Sequence, residues 1–97
     1  MTDTPDYTGW QDVVDLLQRA NECGREGELL KMLLTQDERE TLVARVNIIN
    51  ELLKGEMSQR QLSQLLGVGI ATITRGSNEL KQLDDEQKNQ LMELLSK

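Results

Sequence analysis

The chain has 97 residues, a formal net charge of −6, one cysteine and neither histidine nor phenylalanine. This length suits one domain with a modest aliphatic core, and a lone cysteine excludes an intramolecular disulfide. A lone cysteine fits a reducing compartment, so we expect a cytoplasmic protein. No apolar run approaches the ~18 residues of a membrane span, and the acidic start does not have the pattern of a secretion signal.

Apolar residues recur at helical spacing along the chain, and no segment alternates with the two-residue period of a strand. We therefore predict an all-α protein, with a flexible lead at 1–8 and a single helical domain at 9–97. The six predicted helices span about 9–22, 26–33, 36–54, 59–66, 70–81 and 85–96.

The predicted helix ends are marked by capping residues and glycines. Three segments, Thr8–Gln11, Thr35–Glu38 and Ser58–Gln61, fit the capping box, in which two side chains bind each other's backbone N–H groups. Gly24 and Gly55 are suited to end the first and third helices.

The predicted core is rich in leucine. The helix at 36–54 is apolar on most of its sides, so we expect it to be buried, and Trp10 is expected in the core. The residues expected to point inward from the later helices are Leu62, Leu66, Ile70, Ile73, Leu80, Leu91, Leu94 and Leu95. A short leucine-rich chain often completes its core by forming an oligomer, because the partner supplies further buried surface.

Residues 59–81 have the layout of a helix-turn-helix, in which two short helices joined by a turn bind DNA. Gly67 can adopt the positive φ of the turn, and Ser63 is small enough for the helices to approach. The outward positions of the second helix carry side chains that suit a major groove: Ala71, Thr72, Thr74, Arg75 and Asn78. Residues 56–82 carry three basic and two acidic groups, so they are the least acidic part of the chain. A plain helical hairpin within a bundle is the alternative.

The residues of two segments, Gly55–Arg60 and Gly69–Asn78, together with Leu33–Glu40 and the pair Arg45 and Val46, resemble the tryptophan repressor family. The resemblance extends from about Trp10 to the end of the chain. It implies six short helices in an intertwined homodimer that binds palindromic operator DNA once L-tryptophan, its corepressor, is bound. It also implies repression of tryptophan-biosynthesis operons, including the repressor's own gene.

The resemblance further implies a site for L-tryptophan that two protomers share. Its residues in this sequence are Met32, Leu34, Thr35, Arg45, Arg75, Gly76 and Glu79. Arg75 is expected to hold the carboxylate in two parallel hydrogen bonds, and Arg45 to stack on the indole. Gly76 is expected to leave room for the ring.

The remaining residues of the implied site are expected to bind the ammonium and the carboxylate of the ligand. The carbonyls of Met32 and Leu34 suit the ammonium, since they lie at the negative end of a helix. Thr35 is expected to donate its hydroxyl to the carboxylate, although it is also a helix cap. Glu79 stands where the family has a serine, and it either binds the ammonium or repels DNA phosphates.

The residues implied in DNA binding are Gln59, Arg60, Ser63, Gly69, Ile70, Ala71, Thr72, Thr74, Asn78 and Lys81. Ser63 replaces a lysine that is common in the family, so we expect weaker non-specific binding to phosphates.

Several alternatives stay open on the residues alone. Arg45 could only pair with a core-edge acid such as Glu51, Arg75 could contact only phosphate, and Thr35 could act only as a cap. The chain could also be a ligand-independent or differently liganded regulator of the same fold, or a protein–protein adaptor. We do not expect an enzyme or a metal site, since no histidine is present to activate Cys23 and no phosphate-binding glycine loop follows a strand.

Overall fold

The computed structural model describes residues 3–96, and within that range it contains six α-helices and no strand. The helices are α1 (Trp10–Glu22), α2 (Glu26–Leu33), α3 (Gln36–Lys54), α4 (Gln59–Leu66), α5 (Ile70–Lys81) and α6 (Asp85–Leu95). The predicted all-α class and all six helices are confirmed, with ends that differ by at most one residue. Residues 1, 2 and 97, which belong to the predicted lead and domain, lie outside the described residues. No helix in the described range is both long and apolar enough to cross a membrane.

The chain divides into two compact units, one ending at Arg39 and the other beginning at Glu40. In the first unit α1 packs against α2. In the second unit α4 packs against α5. The same unit contains α3 from Glu40 onward and all of α6. The predicted lead at 1–8 and single domain at 9–97 stay predictions.

The start of α1 differs from the predicted cap. Gly9 is the N-cap, and the carboxylate of Asp12 accepts hydrogen bonds from the backbone N–H groups of Thr8 (2.9 Å) and Gly9 (3.1 Å). These hydrogen bonds lower the pKa of Asp12. The predicted box at Thr8–Gln11 is wrong because a charged carboxylate is the stronger acceptor, and the amide of Gln11 donates to Asp15 instead.

The start of α3 agrees with the prediction. The backbone N–H of Thr35 donates to Glu38 Oε1 at 2.8 Å, and the N–H of Glu38 donates to Thr35 Oγ1 at 3.2 Å. The hydrogen bond from the Thr35 backbone, with a smaller contribution from its hydroxyl, lowers the pKa of Glu38.

The core of the second unit is built on three fully buried side chains, Ile48 of α3, Leu62 of α4 and Ile73 of α5. Leu66 and Val68 pack against them at the turn between α4 and α5. The inward direction predicted for Leu62, Leu66 and Ile73 is therefore confirmed.

Other apolar residues that were expected inside are exposed in the single chain. Trp10 is 76% exposed, Leu94 82% and Ile70 47%, so those three predictions are wrong for the chain by itself. The helix α3 is not buried as a whole either, since Val43 and Val46 are exposed. The reason is geometric, because the apolar side chains of α3 point in several directions and only the side that carries Ile48 is covered by α4 and α5.

Candidate ligand site and nucleic-acid interface

The turn between α4 and α5 has the geometry of a helix-turn-helix. Ser58 caps α4, with its N–H donating to Gln61 Oε1 at 2.8 Å and its Oγ accepting from the Gln61 N–H at 3.1 Å. Gly67 ends α4 in the left-handed region at φ 67°, a conformation that glycine adopts without a Cβ clash. The Ser63 hydroxyl donates to the Val68 carbonyl and so ties α4 to the turn. The predicted cap at Ser58 and the turn at Gly67 are confirmed.

A hydrogen bond links the two helices of this motif on their exposed side. Thr74 Oγ1 of α5 donates to Gln59 Oε1 of α4 at 3.1 Å. Both residues were expected to contact DNA, so the structure brings this pair together. Gly69, the N-cap of α5, supplies no side-chain cap, and the start of α5 is exposed at Ile70 and Ala71.

The other residues expected at DNA differ in exposure. Ser63 is half-buried, and its hydroxyl serves the turn. The remaining expected DNA residues are exposed on α4 and α5: Arg60, Thr72, Asn78 and Lys81.

A cavity of about 150 Å³ lies between α3 and α5 in the second unit. Its lining consists of Arg45, Ile48 and Ile49 from α3, and of Thr72, Arg75, Gly76 and Glu79 from α5. The structure thus places four of the seven expected ligand residues around one space. The lining includes the buried Ile48 and three exposed ionisable side chains, which suits a ligand that has both apolar and charged groups.

Gly76 lets α5 approach α3 closely beside this cavity. A Cβ added to Gly76 would lie 3.0 Å from Ile48 Cγ2 and 3.6 Å from Leu52 Cδ1. The sequence suggested only that this glycine leaves room for a ring. The structure gives it a second role, the close packing of two helices.

The three ionisable side chains at the cavity have no ion pair within residues 3–96. The salt bridge found there joins Lys54 and Glu51 at 3.1 Å. Glu51 therefore pairs with Lys54 in the single chain, and a pair between Arg45 and Glu51 is not found there.

The other three expected ligand residues belong to the first unit. The Leu34 carbonyl accepts from Arg39 Nη1 at 2.8 Å, and the same guanidinium nitrogen donates to the Lys31 carbonyl at 3.2 Å. Thr35 caps α3 through its two reciprocal hydrogen bonds with Glu38. Met32 has an exposed side chain. Arg39, five residues after the C-cap Leu34, is a residue that sequence reasoning missed, although a cation near the end of a helix is a signal for carbonyl binding.

Comparison with known proteins identifies a family whose sequence pattern this chain matches. Residues 8–95 match the family described as Trp repressor protein. Relatives called Trp operon repressor homolog include one from Vibrio vulnificus, 62% identical over 95 residues that cover 98% of this chain and 93% of the relative. Another, from Aliivibrio fischeri, is 61% identical over 97 residues that cover 100% of this chain and 90% of the relative. A third, from Vibrio cholerae, is 58% identical over 95 residues, with 98% and 92% covered.

Proposed function

This chain belongs to the Trp repressor family of transcriptional repressors, and from that premise we propose that it binds palindromic operator DNA as a homodimer activated by L-tryptophan. The membership confirms the predicted family and the prediction that the chain is not an enzyme. We further propose that it acts in the cytoplasm on tryptophan-biosynthesis operons, including that of its own gene.

The observation that supports the proposed binding of L-tryptophan is the cavity between α3 and α5. Arg75 lines the cavity and is proposed to hold a carboxylate with two parallel hydrogen bonds, a geometry that a guanidinium offers and an ammonium does not. Arg45 faces the same space from α3 and offers a planar cation for stacking on an indole. Ile48 and Ile49 supply apolar contact for the ring.

The same cavity supports a proposal for how a small molecule would act on DNA binding. Thr72 and Arg75 line it, and both belong to the helix that is proposed to enter the major groove. A ligand that fills the space between α3 and α5 therefore fixes the direction of α5. In a symmetric dimer this sets the separation of the two recognition helices, which must match one turn of DNA.

The remaining expected ligand residues stay within this proposal as contributions of the partner protomer. They are Met32, Leu34 and Thr35.

The DNA contacts divide into two kinds. Arg60 and Lys81 are exposed cations at the ends of the motif and are proposed to bind phosphates. The start of α5, which no side chain caps, offers backbone N–H groups to the same backbone. Gln59, Thr74 and Asn78 are proposed to contact base edges. Ser63, Gly69, Ile70, Ala71 and Thr72 complete the proposed surface.

A mobility-shift titration of a candidate operator, with and without L-tryptophan, tests the proposal. We expect a shift that requires L-tryptophan and that Arg75→Ala abolishes. A shift of equal strength without the ligand would instead support the alternative of a ligand-independent regulator. Absence of any shift on operators of the relatives would contradict the DNA-binding role.

A further inference from the structure

We propose that Ser63 is a positioning residue for the recognition helix α5. Its hydroxyl holds the Val68 carbonyl and so fixes the direction in which α5 leaves the turn, which raises the affinity for DNA without a contact between Ser63 and DNA. This inference rests on the proposed function, since it takes α5 as the helix that binds the operator, and it replaces the direct DNA contact that was proposed for Ser63.

The turn between α4 and α5 has little conformational restraint of its own. It consists of Gly67, Val68 and Gly69, so two of its three residues are glycines. Gly67 lies in the left-handed region at φ 67°, and Gly69 is extended at φ −70° and ψ 153°. Because glycine has access to many other backbone conformations, contacts from outside the turn are needed to hold these two residues in place.

Ser63 contacts both halves of this turn. Its backbone carbonyl accepts a hydrogen bond from the N–H of Gly67 at 3.0 Å, and its hydroxyl donates to the carbonyl of Val68. The Val68 carbonyl belongs to the peptide group that leads into Gly69, the N-cap of α5. The Gly69 carbonyl in turn accepts from the N–H of Thr72 at 3.1 Å. Ser63 is thus connected to the first turn of α5 through two peptide groups.

The same hydrogen bond removes Ser63 from direct contact with phosphate. A serine hydroxyl has a single O–H to donate, and the oxygens of a DNA phosphate accept hydrogen bonds but do not donate them. Ser63 is half-buried and directs its O–H to Val68, so it has no donor left for DNA. Arg60, on the same helix, is exposed and remains the proposed phosphate contact of α4.

Apolar packing at the turn does not replace this restraint. The Val68 side chain packs against the core of the second unit. Such packing is non-directional, so it fixes the place of the side chain more than the direction of the carbonyl. A hydrogen bond is directional, and the one from Ser63 fixes the carbonyl. Without the hydroxyl, the peptide group between Val68 and Gly69 can rotate while the core stays intact.

Two measurements test the proposal, one on the free protein and one on its DNA complex. Residual dipolar couplings of the DNA-free protein with L-tryptophan report the direction of α5 relative to α4. A mobility shift on a candidate operator with L-tryptophan reports the affinity for DNA. The proteins are the full chain, Ser63→Ala and the control Ser77→Ala.

Ser77 is a matched control because it is also a half-buried helix serine. It does not line the cavity, and its side chain has no hydrogen bond within residues 3–96. Both substitutions remove a hydroxyl and favour the helix by the same amount, so the comparison isolates the hydrogen bond to Val68. Circular dichroism checks that both variants keep their helices, which is expected because alanine favours a helix over serine.

We expect the couplings of α5 in Ser63→Ala to depart from the direction that fits the full chain, because the peptide group between Val68 and Gly69 can rotate. Operator affinity should fall about two- to tenfold for each recognition helix of the dimer, the range of one net hydrogen bond, since fewer chains hold α5 in the binding direction. Ser77→Ala should match the full chain in both measurements.

The results that would overturn the inference differ in what else they imply. Unchanged couplings in Ser63→Ala overturn it whatever happens to the affinity, and a lower affinity then means that Ser63 contacts DNA itself. Changed couplings with unchanged affinity mean that the direction set by Ser63 does not serve DNA binding. In both cases the proposed function stands, because the full chain still shifts the operator with L-tryptophan. If the full chain shifts no operator, both the inference and the proposed function fail.

Discussion

The backbone of Gly76 lies directly against the side chain of Ile48, with 3.0 Å between the position of a Cβ on Gly76 and Ile48 Cγ2. Ile48 is 1% exposed and packs with Leu62 and Ile73, so the core limits its movement away from Gly76. This contact sets how closely α5 approaches α3, and it forms one wall of the cavity.

Gly76→Ala is therefore expected to destabilise the protein. Alanine favours a helix over glycine by about 1 kcal/mol, but an added methyl in a packed core costs about 1–3 kcal/mol. We expect the free energy of unfolding to fall by about 1 kcal/mol and L-tryptophan binding to weaken. Chemical denaturation and calorimetry measure the two effects.

Gly27→Ala is the matched control for that substitution. Gly27 lies in α2, has no positive φ, and a Cβ there meets nothing within 4 Å. The control should be neutral or stabilising by up to about 1 kcal/mol. Equal effects of the two variants would contradict the contact between Gly76 and Ile48. Ile48→Leu, which removes Cγ2, should relieve part of the loss in the double variant.

Arg75→Ala and Arg60→Ala should separate ligand binding from phosphate binding. Arg75 lines the cavity and Arg60 does not. We expect Arg75→Ala to weaken L-tryptophan binding about ten- to a hundredfold, since it removes a charge-assisted hydrogen bond. Arg60→Ala should leave that affinity unchanged and weaken DNA binding on all sequences, with a smaller dependence on salt. Unchanged ligand affinity in Arg75→Ala would contradict the site.

The proposed homodimer predicts different outcomes for two exposed apolar residues. Val43 in α3 is 63% exposed and Leu65 in α4 is 60% exposed. In the proposed homodimer α3 lies in the dimer core and α4 outside it, so Val43→Glu should produce monomers and Leu65→Glu should not, because an unpaired charge is costly in a buried interface. Sedimentation measures this, since each chain has a mass of 11.0 kDa. A monomeric full chain, or dissociation by Leu65→Glu alone, would rule out the proposed interface.

The cap at α3 predicts a dependence of stability on pH. The backbone N–H of Thr35 lowers the pKa of Glu38 below its ordinary value of 4.5. The charged carboxyl therefore stabilises the folded chain above that value, and the stabilisation is lost as the pH falls through the lower folded pKa. Glu38→Gln keeps a hydrogen-bond acceptor but does not titrate, so its stability should fall less on acidification. Thermal unfolding from pH 6 to pH 3 tests this, and identical curves for both proteins would count against the prediction.

Helix bounds were predictable here because the determinants are local. Ser58 and Thr35 each hydrogen-bond a residue three positions away, and Gly67 needs only its own backbone conformation. The capping interaction of α1 was predicted wrongly because two competing acceptors, Gln11 and Asp12, lie side by side, and the charge on Asp12 decided between them.

Burial and contacts between distant residues were less predictable. The apolar pattern placed Trp10 inside, yet a pattern gives only the face of a helix and not what covers that face. Grouping Arg45 with Arg75 came from the family resemblance, and the cavity agrees with it. The roles of Arg39 at the Leu34 carbonyl and of Gly76 at Ile48 required three-dimensional contacts that no local pattern encodes.

The hydrogen bond between Thr74 and Gln59 also bears on how the repressor would discriminate among operators. Two side chains joined by a hydrogen bond share their donors and acceptors. If one side chain changes its hydrogen bonding, the donors and acceptors that the other presents to a base pair change as well. Preferences at the base pairs that these residues are proposed to contact should then be correlated, and a scoring matrix that treats each operator position as independent would misrank sites that differ at both.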